Sequence, residues 1–413
     1  MAITDKKTGV WGLDQTFNKI NQGSIWDYSG APELWAWGQN EKGQLGQNST
    51  SPAYSSPKQI PGTNWSSMLV TASTGSQEQA NIRTDGTLWT WGNNASGQLG
   101  LNDTVLRSSP TQVGSGSDWA AVKSIQNAFM ATKTNGTMWV WGANQGGTLG
   151  LNEEGNFYSS PVQLPGTWST DPKKLGGGGS AYRAFAIKSD GTMWCWGDGN
   201  YGRLGLNDYP GTGTRRYSSP VQLTTATNWS HISDGNYGTL ALNTDGEMFG
   251  WGDNADWGSL GLNDRIRRSS PTQIPGTWGW ISSAYNAKYA VRSDGTAYSW
   301  GNNTYGQLGL NDTTKRSSPT QIPGTTWSKF SLNGGTSMIH AIKTDGTLWG
   351  WGWNVYGELA QNNRTAYSSP VQVGSDTTWP TDNEKLGGGE MGFGAIKTDG
   401  TLWVWGNNAF GCL

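Results

Sequence analysis

Short runs of alternating apolar and polar residues, each closed by a tight turn, recur along most of the chain. The fullest copy, residues 341–352, reads Ala-Ile-Lys-Thr-Asp-Gly-Thr-Leu-Trp-Gly-Trp-Gly. Asp-Gly between two such runs is a strong β-hairpin signal, because a two-residue type I′ turn needs positive φ at both central residues. Asp-Gly holds this place in six copies and Asn135-Gly136 in a seventh. The pattern therefore predicts a chain built from β-hairpins.

The register of each hairpin follows from its loop, since a two-residue loop determines which side chains face each other. In the fullest copy it places Ile342 opposite Trp349, on the face that also carries Trp351. It places Ala341 opposite Gly350 on the other face, and other copies hold small or slim residues at the Gly350 position. One face of each hairpin is thus predicted to be bulky and the other small. Radially stacked sheets bury two such faces without a clash.

The dipeptide Trp-Gly marks the repeat to which these hairpins belong. It occurs eight times at spacings of 49 to 55 residues, and each copy is followed by a turn with Gly and then Leu. Such a period in a glycine-rich, strand-like sequence indicates a propeller or a solenoid. The tryptophans of this dipeptide are predicted to form the structural core rather than a binding site, and they are Trp37, Trp91, Trp141, Trp196, Trp251, Trp300, Trp351 and Trp405.

A second motif, Ser-Ser-Pro, occurs seven times at the start of short apolar runs. Because proline has no N–H to donate, it marks an edge strand, here the outermost strand of each blade. The hairpin and a tryptophan that opens the innermost strand also occur seven times. These counts predict an all-β fold, a seven-bladed β-propeller of four-stranded antiparallel blades. Residues 57–60 are expected to complete the blade begun at 379–405, so that N- and C-terminal strands close the ring.

The eighth Trp-Gly strand is one more than seven blades need. Either 34–37 or 402–405 is surplus, as a fifth strand of the closing blade or as a contact to another subunit. Eight blades is the alternative, supported by this strand type alone. The propeller is assigned to residues 34–413, and residues 1–33 form an N-terminal arm. The arm is either a plug on the rim or an anchor for another subunit, with candidate anchor residues Trp11, Phe17, Ile20 and Trp26.

Composition narrows the class of protein. The 413 residues include 62 Gly and 26 Trp but only 14% charged residues, which favours packed, turn-rich structure over disorder. The net charge is −2 and no long run of Lys or Arg occurs, so nucleic-acid binding is not expected. No run of 18 apolar residues and no apolar signal-peptide core is present. We therefore expect synthesis as a soluble cytoplasmic chain, without membrane insertion.

The reactive residues form no recognisable catalytic, cofactor or metal set. The only histidines, His231 and His340, fall in separate repeats without ligand spacing. The two cysteines make no disulfide framework, and Cys195 is predicted to be a buried thiol. Acid pairs such as Glu153-Glu154 sit in variable loops, so a glycosidase-like pair of carboxylates stays an alternative. We expect no metal, no cofactor and no enzymatic activity.

The pattern D-G-T-[L/M]-W-x-W-G-x-N-x-x-G-x-L-G, followed by a Pro-bearing strand, resembles the regulator of chromosome condensation repeat over residues 34–413. The resemblance implies a seven-bladed propeller with a closing blade. Members of that family include a guanine nucleotide exchange factor, a plant ultraviolet-B photoreceptor and parts of ubiquitin ligases. The photoreceptor's Gly-Trp-Arg-His-Thr motifs do not occur here, and basic arms are lacking. No functional residue is carried over, because a shared fold does not imply a shared function.

The opening of the chain suggests a setting. Residues 9–13, Gly-Val-Trp-Gly-Leu, resemble the openings of phage tail and fibre proteins, and the nearly uniform repeats resemble propellers of marine and cyanobacterial phages. We therefore expect a non-enzymatic structural or interaction propeller in a virion, as a tail, fibre or capsid-surface protein. Its expected partners are other virion proteins, a host-surface glycan or receptor, or further copies of itself. The alternatives are a lectin-like glycan-binding propeller and a guanine nucleotide exchange or ubiquitin-ligase adaptor.

Overall fold

The computed structural model describes residues 33–50, 53–65, 70–71, 77–178, 181–208, 215–284, 286–332, 337–381, 386–388, 392–399 and 401–407. Within these ranges the chain forms 29 β-strands and three short 3₁₀ turns, and no α-helix. The candidate anchor residues Trp11, Phe17, Ile20 and Trp26 lie outside the described residues. The described strands all fall within the segment assigned to the propeller.

The strands form an N-terminal sheet, six complete blades and a C-terminal sheet in the described chain. The N-terminal sheet pairs β1 (Trp35–Gln39) with β2 (Ala53–Gln59). Blades 1 and 2 consist of β3 (Val70–Thr71), β4 (Glu78–Ile82), β5 (Leu88–Gly92) and β6 (Arg107–Gln112), then β7 (Trp119–Ser124), β8 (Ala128–Lys133), β9 (Met138–Ala143) and β10 (Phe157–Leu164). Blades 3 and 4 consist of β11 (Leu175–Gly178), β12 (Ala181–Ile187), β13 (Met193–Asp198) and β14 (Arg216–Gln222), then β15 (Trp229–Asp234), β16 (Gly238–Asn243), β17 (Met248–Gly252) and β18 (Arg268–Ile274).

Blades 5 and 6 consist of β19 (Trp280–Ser283), β20 (Ala287–Val291), β21 (Ala297–Gly301) and β22 (Arg316–Gln321), then β23 (Trp327–Leu332), β24 (Met338–Lys343), β25 (Leu348–Gly352) and β26 (Tyr367–Gln372). The C-terminal sheet holds β27 (Leu386–Gly388), β28 (Gly392–Ile396) and β29 (Leu402–Gly406). In every blade the strand order across the sheet follows chain order, and the Ser-Ser-Pro strand lies at the outer edge as predicted. The innermost strands contact one another in succession and surround the axis: β3, β7, β11, β15, β19 and β23.

The two terminal sheets together contain every strand type of a seventh blade, with the Trp-Gly type present twice. The predicted all-β, seven-bladed propeller is confirmed. The predicted pairing at the closure is wrong, because β2 hydrogen-bonds to β1, with Trp35 opposite Gln59, and among the described strands it does not join β27 to β29. A strand that directly precedes β2 in the chain is its nearest partner, and a short loop closes at a small entropic cost.

The hairpin register differs from the prediction by one residue. In blade 6, Ala341 lies opposite Trp349 and Ile342 opposite Leu348. The predicted pairs, Ile342 with Trp349 and Ala341 with Gly350, are therefore wrong. Ala341 shares a face with the tryptophans, and it packs with Trp351 in one buried cluster.

The reason for this register is a three-residue loop. The N–H of Lys343 donates to the carbonyl of Thr347, which closes the loop around Asp345 and Gly346. The Asp345 carboxylate accepts hydrogen bonds from the N–H and the hydroxyl of Thr347, at 3.0 and 2.6 Å. Only Gly346, with φ of 77°, adopts the left-handed region. Side-chain bonding by Asp thus stabilises a turn that ends on a left-handed glycine, instead of the type I′ turn.

The repeated tryptophans pack where neighbouring blades meet. Six of them are fully buried, and they are Trp91, Trp141, Trp196, Trp251, Trp300 and Trp351. Trp37 and Trp405, in the terminal sheets, are half-buried. Each of the six indole N–H groups donates to a loop carbonyl of the preceding blade or sheet, at 2.7–3.1 Å, and the acceptors are Gln44, Gln98, Thr148, Arg203, Ser259 and Gln307.

The loop after each Trp-Gly strand is shaped to receive this indole. A Cβ on Gly100 would lie 2.9 Å from the Nε1 of Trp141, and the equivalent glycines of the other loops are similarly close to their tryptophans. The same loop bonds to the outermost strand of the next blade, since the N–H of Asn102 donates to the Ser159 carbonyl at 2.6 Å. The Ser160 hydroxyl donates back to the Asn102 side chain at 3.0 Å. The glycine, asparagine and serine positions of the repeat therefore serve the contact between blades.

Candidate functional site

The two ends of the propeller differ in which connections they carry. Because the strands alternate in direction, the first-to-second turns and the third-to-fourth loops lie at one end, and the hairpin loops lie at the other. We call the first end the loop face. Its described third-to-fourth loops are 93–106, 144–156, 199–208 with 215, 253–267, 302–315 and 353–366. These loops are the longest connections, so they hold the candidate site.

An asparagine side chain stiffens each loop from within. The Oδ1 of Asn94 accepts a hydrogen bond from the N–H of Leu99 at 2.9 Å. Its Nδ2 donates to the carbonyls of Asp103 and Val105 at 3.0 and 3.1 Å. The same bond from the N–H of the loop leucine recurs at Asn40, Asn144, Asn254, Asn303 and Asn354. The residues at the tips of these loops are therefore presented by a preorganised backbone.

The loop tips of four consecutive blades present aromatic side chains. The residue before the loop glycine is Tyr201, Trp257, Tyr305 and Tyr356 in blades 3 to 6, and we call this set the aromatic arc. The three tyrosines are 41–43% exposed. Blades 1 and 2 carry Ser96 and Gly146 at the same place. Among the described blades, the tip aromatics are thus confined to blades 3 to 6.

Cations and a further ring hold parts of the aromatic arc in place. The guanidinium groups of Arg203 and Arg267 lie 4.9 and 4.6 Å from the centre of the Tyr201 ring. The ammonium of Lys315 lies 4.0 Å from the Trp257 ring centre, which is cation–π geometry. Tyr305 meets the ring of Trp353 edge-on at 4.5 Å. Rigid aromatic anchors beside cations are typical of surfaces that bind other molecules.

A buried ion pair links blades 3 and 4 near the axis, at the same end. Arg183, on β12, donates to the Oδ1 of Asp234, at the end of β15, with an Nη2–Oδ1 distance of 2.7 Å. It also donates to the carbonyls of Gly235 and Asn236 in the turn that follows. Both charged side chains are almost wholly buried. The hydroxyl of Thr239 adds a hydrogen bond to the same Oδ1 at 2.8 Å.

Lys288 of blade 5 approaches this turn from the other side. Its buried Nζ donates to the Gly238 carbonyl at 2.7 Å, and Gly235 has no side chain in its way. Burial, which outweighs the raising effect of Asp234, lowers the pKa of Lys288 from 10.5 to about 7. Burial likewise lowers the pKa of Lys123 on blade 2, while the charge of Asp234 raises it. Asp234 thus pairs with Arg183, and its charge raises the pKa values of Lys123 and Lys288 on two further blades.

The histidines and cysteine singled out by the sequence lie apart from each other. His340 is buried, its ring stacked on Phe393 at 4.0 Å, and burial lowers its pKa to about 3. His231 is half-buried, and burial lowers its pKa to about 4. Cys195 is a buried free thiol as predicted, and burial raises its pKa. Glu154 forms an ion pair with Arg216 at 3.3 Å.

The described residues contain neither a metal-binding cluster nor a membrane-spanning helix. No group of three or more His, Cys, Asp or Glu in the described ranges is placed to hold a metal ion. None of the described helices has the length and apolarity needed to cross a bilayer.

Sequence reasoning missed the charged residues at the axis and the aromatic arc. In most blades the second-strand residue that pairs with the Trp-Gly glycine is small or apolar, such as Ala128 opposite Gly142 in blade 2. Glu78 and Arg183 replace that residue in blades 1 and 3, and burial raises the pKa of Glu78 to about 7. Positions where one copy departs from the others were the available signal. The residues at such positions are not required by the packing of the shared core.

Comparison with known proteins agrees with this architecture. A family model for the RCC1-like domain matches residues 28–339. The ultraviolet-B receptor UVR8 of Arabidopsis thaliana is 27% identical over 332 residues, 78% of this chain and 73% of the receptor. The regulator of chromosome condensation of Xenopus laevis is 30% identical over 131 residues, 30% of each chain. Human E3 ubiquitin-protein ligase HERC2 is 26% identical over 56% of this chain, which is 5% of that ligase.

Solved structures share the fold at low sequence identity. Human WBSCR16 aligns with a TM-score of 0.64 at 20% identity, covering 84% of this chain and 94% of that one. Yeast RCC1 (Prp20), in its complex with Kap60, aligns with a TM-score of 0.61 at 17% identity, covering 92% and 91%. These likenesses concern the fold alone. Together with the family match over most of the chain, they show that the protein belongs to the RCC1-like domain family and is an interaction propeller of that family.

Proposed function

We propose that this propeller is a non-enzymatic docking module that binds a partner protein through the aromatic arc of its loop face. The observation that carries the proposal is the run of ring side chains at the loop tips of four consecutive blades, of which the three tyrosines are exposed and Trp257 is half-buried. Yeast RCC1, which has the same fold, has been solved bound to Kap60. Protein binding is thus compatible with this architecture.

The ordered loops of the loop face favour binding, because they are preorganised. Binding costs less free energy when the contacting side chains are already ordered. Asn303 bonds the backbone of its loop internally, and the neighbouring Tyr305 is braced by Trp353. Tyrosine adds large contact area for only two side-chain torsions, so it suits an interface centre. The blades without tip aromatics, 1 and 2, are expected to contribute little.

The test is site-specific photo-crosslinking in the native host. A photoreactive amino acid replaces Tyr201, Tyr305 or Tyr356 in turn, and adducts are identified by mass spectrometry. The matched control positions are Val105 and Phe157 of blades 1 and 2, which are 60% and 53% exposed. We expect one partner protein crosslinked from the arc positions and not from the controls. Equal crosslinking from both sets, or adducts with glycans alone, would refute the proposal.

A more specific proposal concerns the setting in which this docking takes place. We propose that the partner is a phage structural protein and that residues 1–33 anchor the propeller to the particle. The support is the resemblance of residues 9–13 to phage tail proteins. The relatives named above are plant and animal proteins and add no support.

Particle purification tests this setting. The full chain should co-purify with phage particles through a density gradient, and a chain without residues 1–30 should stay folded but leave the particle fraction. A full chain absent from particles, or a truncated chain that still assembles, would contradict the setting. The docking function of the loop face would remain testable on its own by crosslinking.

A further inference from the structure

A cavity of about 420 Å³ lies between the hairpin loops of blades 5 and 6, at the end of the propeller opposite the loop face. Its walls come from the start of β19, from the hairpin loop of blade 5 and from the residues that open β23. Three of the lining residues, Ser293, Asp294 and Thr326, are exposed, so the cavity is open to solvent. Its volume falls in the range of about 300–1,000 Å³ that is typical of small-molecule sites.

An aromatic residue that departs from the repeat lines this cavity. Trp280 is half-buried, and its ring stacks on Phe330 of blade 6 with ring centres 5.8 Å apart. Other blades carry no aromatic ring of this size at the equivalent position, where blades 2, 4 and 6 have Ala121, His231 and Lys329. Because those blades form the same sheet without a tryptophan here, the shared core does not require Trp280.

The charged residues among those that line the cavity are Arg292 and Asp294. The Arg292 guanidinium lies 5.1 Å from the ring centre of Trp278 and 4.5 Å from that of Tyr298, and its Nε has no hydrogen-bond acceptor among the described residues. The Oδ1 of Asp294 accepts hydrogen bonds from the N–H and the hydroxyl of Thr296, at 2.9 and 2.6 Å. The blade thus holds both side chains in place, and the edge of the guanidinium and the Oδ2 of the carboxylate are open to a ligand.

We propose that this cavity is a binding site for an uncharged hexopyranose, free or at the end of a glycan. One cation and one carboxylate line it, so their charges cancel and an ion gains no net attraction. The apolar C–H face of a pyranose packs on an aromatic ring such as that of Trp280. Its hydroxyl groups both donate and accept, so they bond to Arg292 and Asp294 together. Ser328 and Thr344 add two hydroxyl groups to the same walls. The site is independent of the aromatic arc, which lies at the other end of the propeller.

Blade 2 supplies test substitutions that should leave the fold intact, because it carries the replacing residue at each equivalent position. The variants are Trp280→Ala, Arg292→Lys and Asp294→Asn, and the residues of blade 2 are Ala121, Lys133 and Asn135.

The full-length protein and each variant are titrated with the methyl pyranosides of glucose, galactose, mannose and N-acetylglucosamine, followed by saturation-transfer NMR. We expect saturable binding of at least one of these sugars to the natural chain. Trp280→Ala should abolish this binding. Arg292→Lys and Asp294→Asn should each weaken it about tenfold, the effect of losing one hydrogen bond to a charged group. An oligosaccharide that ends in the same sugar binds more tightly if the ligand is a glycan end, and equally if it is the free sugar.

The control variants are Arg83→Lys and Asp190→Asn, which make the same changes at the hairpin loops of blades 1 and 3. They should leave the sugar affinity unchanged, and cooperative thermal unfolding confirms that every variant is folded. The proposal would be overturned if none of the neutral pyranosides bound saturably to the folded protein. Unchanged affinity in Trp280→Ala, or binding of the charged sugar glucuronate alone, would overturn it as well. None of these outcomes affects the crosslinking test of the aromatic arc.

Discussion

The repeated tryptophans of this propeller form hydrogen bonds between blades rather than within a blade. The indole N–H of Trp141 reaches the Gln98 carbonyl of the preceding blade at 2.9 Å, and its ring is fully buried. The ring therefore supplies both apolar burial and a polar link across the interface. A buried carbonyl that loses its donor costs about 1–3 kcal/mol.

Trp141→Phe should therefore lower the free energy of unfolding by about 1–3 kcal/mol, because the phenyl ring keeps much of the packing but leaves the Gln98 carbonyl without a donor. Urea denaturation followed by far-ultraviolet circular dichroism measures the change. Trp403→Phe is the control, since Trp403 is 49% exposed and its loss should cost under about 0.5 kcal/mol. Equal costs for the two variants would show that the interblade bond adds nothing.

His340 makes stability depend on pH. The Nε2 of His340 accepts the indole N–H of Trp405 at 3.2 Å, so the imidazole is neutral when folded. Burial lowers its pKa from 6.5 to about 3, hence the unfolded state binds more protons between these values. Stability should fall as pH drops from about 6.5 towards 3, by up to about 1.4 kcal/mol per pH unit from this residue. His231 adds a similar contribution down to about pH 4.

His340→Phe should reduce the difference in bound protons between the unfolded and the folded state by about one. Urea unfolding at pH 7.5, 5.5 and 4.5 measures the resulting change in the pH dependence of the unfolding free energy. Trp403→Phe should leave it unchanged. A His340→Phe slope equal to that of the natural chain would mean that His340 is not held neutral in the fold.

At the scale of the strand and hairpin, glycines are required for two separable reasons. Gly346 has φ of 77° and Gly374 has φ of 64°, so an alanine at either site is strained by the backbone. A Cβ on Gly346 would also overlap the carbonyl oxygen of Thr377, whereas nothing lies within 4 Å of a Cβ on Gly374. The pair separates backbone strain from steric contact within one blade.

Gly374→Ala should lower the free energy of unfolding by about 1–2 kcal/mol, because alanine is strained in the left-handed region. Gly346→Ala should lower the free energy of unfolding by about 1–3 kcal/mol more, because the segment that carries Thr377 must shift to accommodate the methyl group. Thermal unfolding of both variants by calorimetry gives the comparison. Equal losses would show that the segment carrying Thr377 moves aside freely.

At the scale of the whole molecule, the N-terminal sheet packs against blade 1 as a preceding blade would. The Gln44 carbonyl accepts the indole N–H of Trp91, and the N–H of Asn48 donates to the Ser108 carbonyl. Ile60 completes the buried cluster around Trp91. These contacts repeat those between complete blades, although this sheet has only two strands.

A chain that lacks residues 1–60 should therefore expose Trp91 and unfold at a markedly lower temperature, with loss of the single cooperative transition. A chain that lacks only residues 1–30 should keep the transition of the full chain, because it retains Leu34, Ala36, Leu45 and Ile60, which form the described cluster with Trp91. Differential scanning calorimetry compares the two. An unchanged transition without residues 1–60 would mean that blade 1 needs no neighbour on that side.

Much of the fold is readable from the chain alone because its signals are local and repeated. The Trp-Gly period and the outer Ser-Ser-Pro strand each depend on a few adjacent residues, and seven copies reinforce each signal. The hairpin register was mispredicted because the same residues can form two different turns, and the hydrogen bond from the Thr347 N–H to the Asp345 carboxylate selects one of them. The candidate site was not predicted, because Arg183 departs from the repeat and because tip aromatics such as Tyr201 occur in only some of its copies.

The sequence by itself determined the blade count, the strand types and the tryptophan core, since these follow from short-range periodicity and burial. Only the tertiary structure decided that β2 joins β1 and that each indole bonds to the blade before it. It alone brought Asp234 to face cations of neighbouring blades. These contacts join residues roughly one repeat or more apart, and their partners are selected by how whole blades pack, which no local pattern encodes.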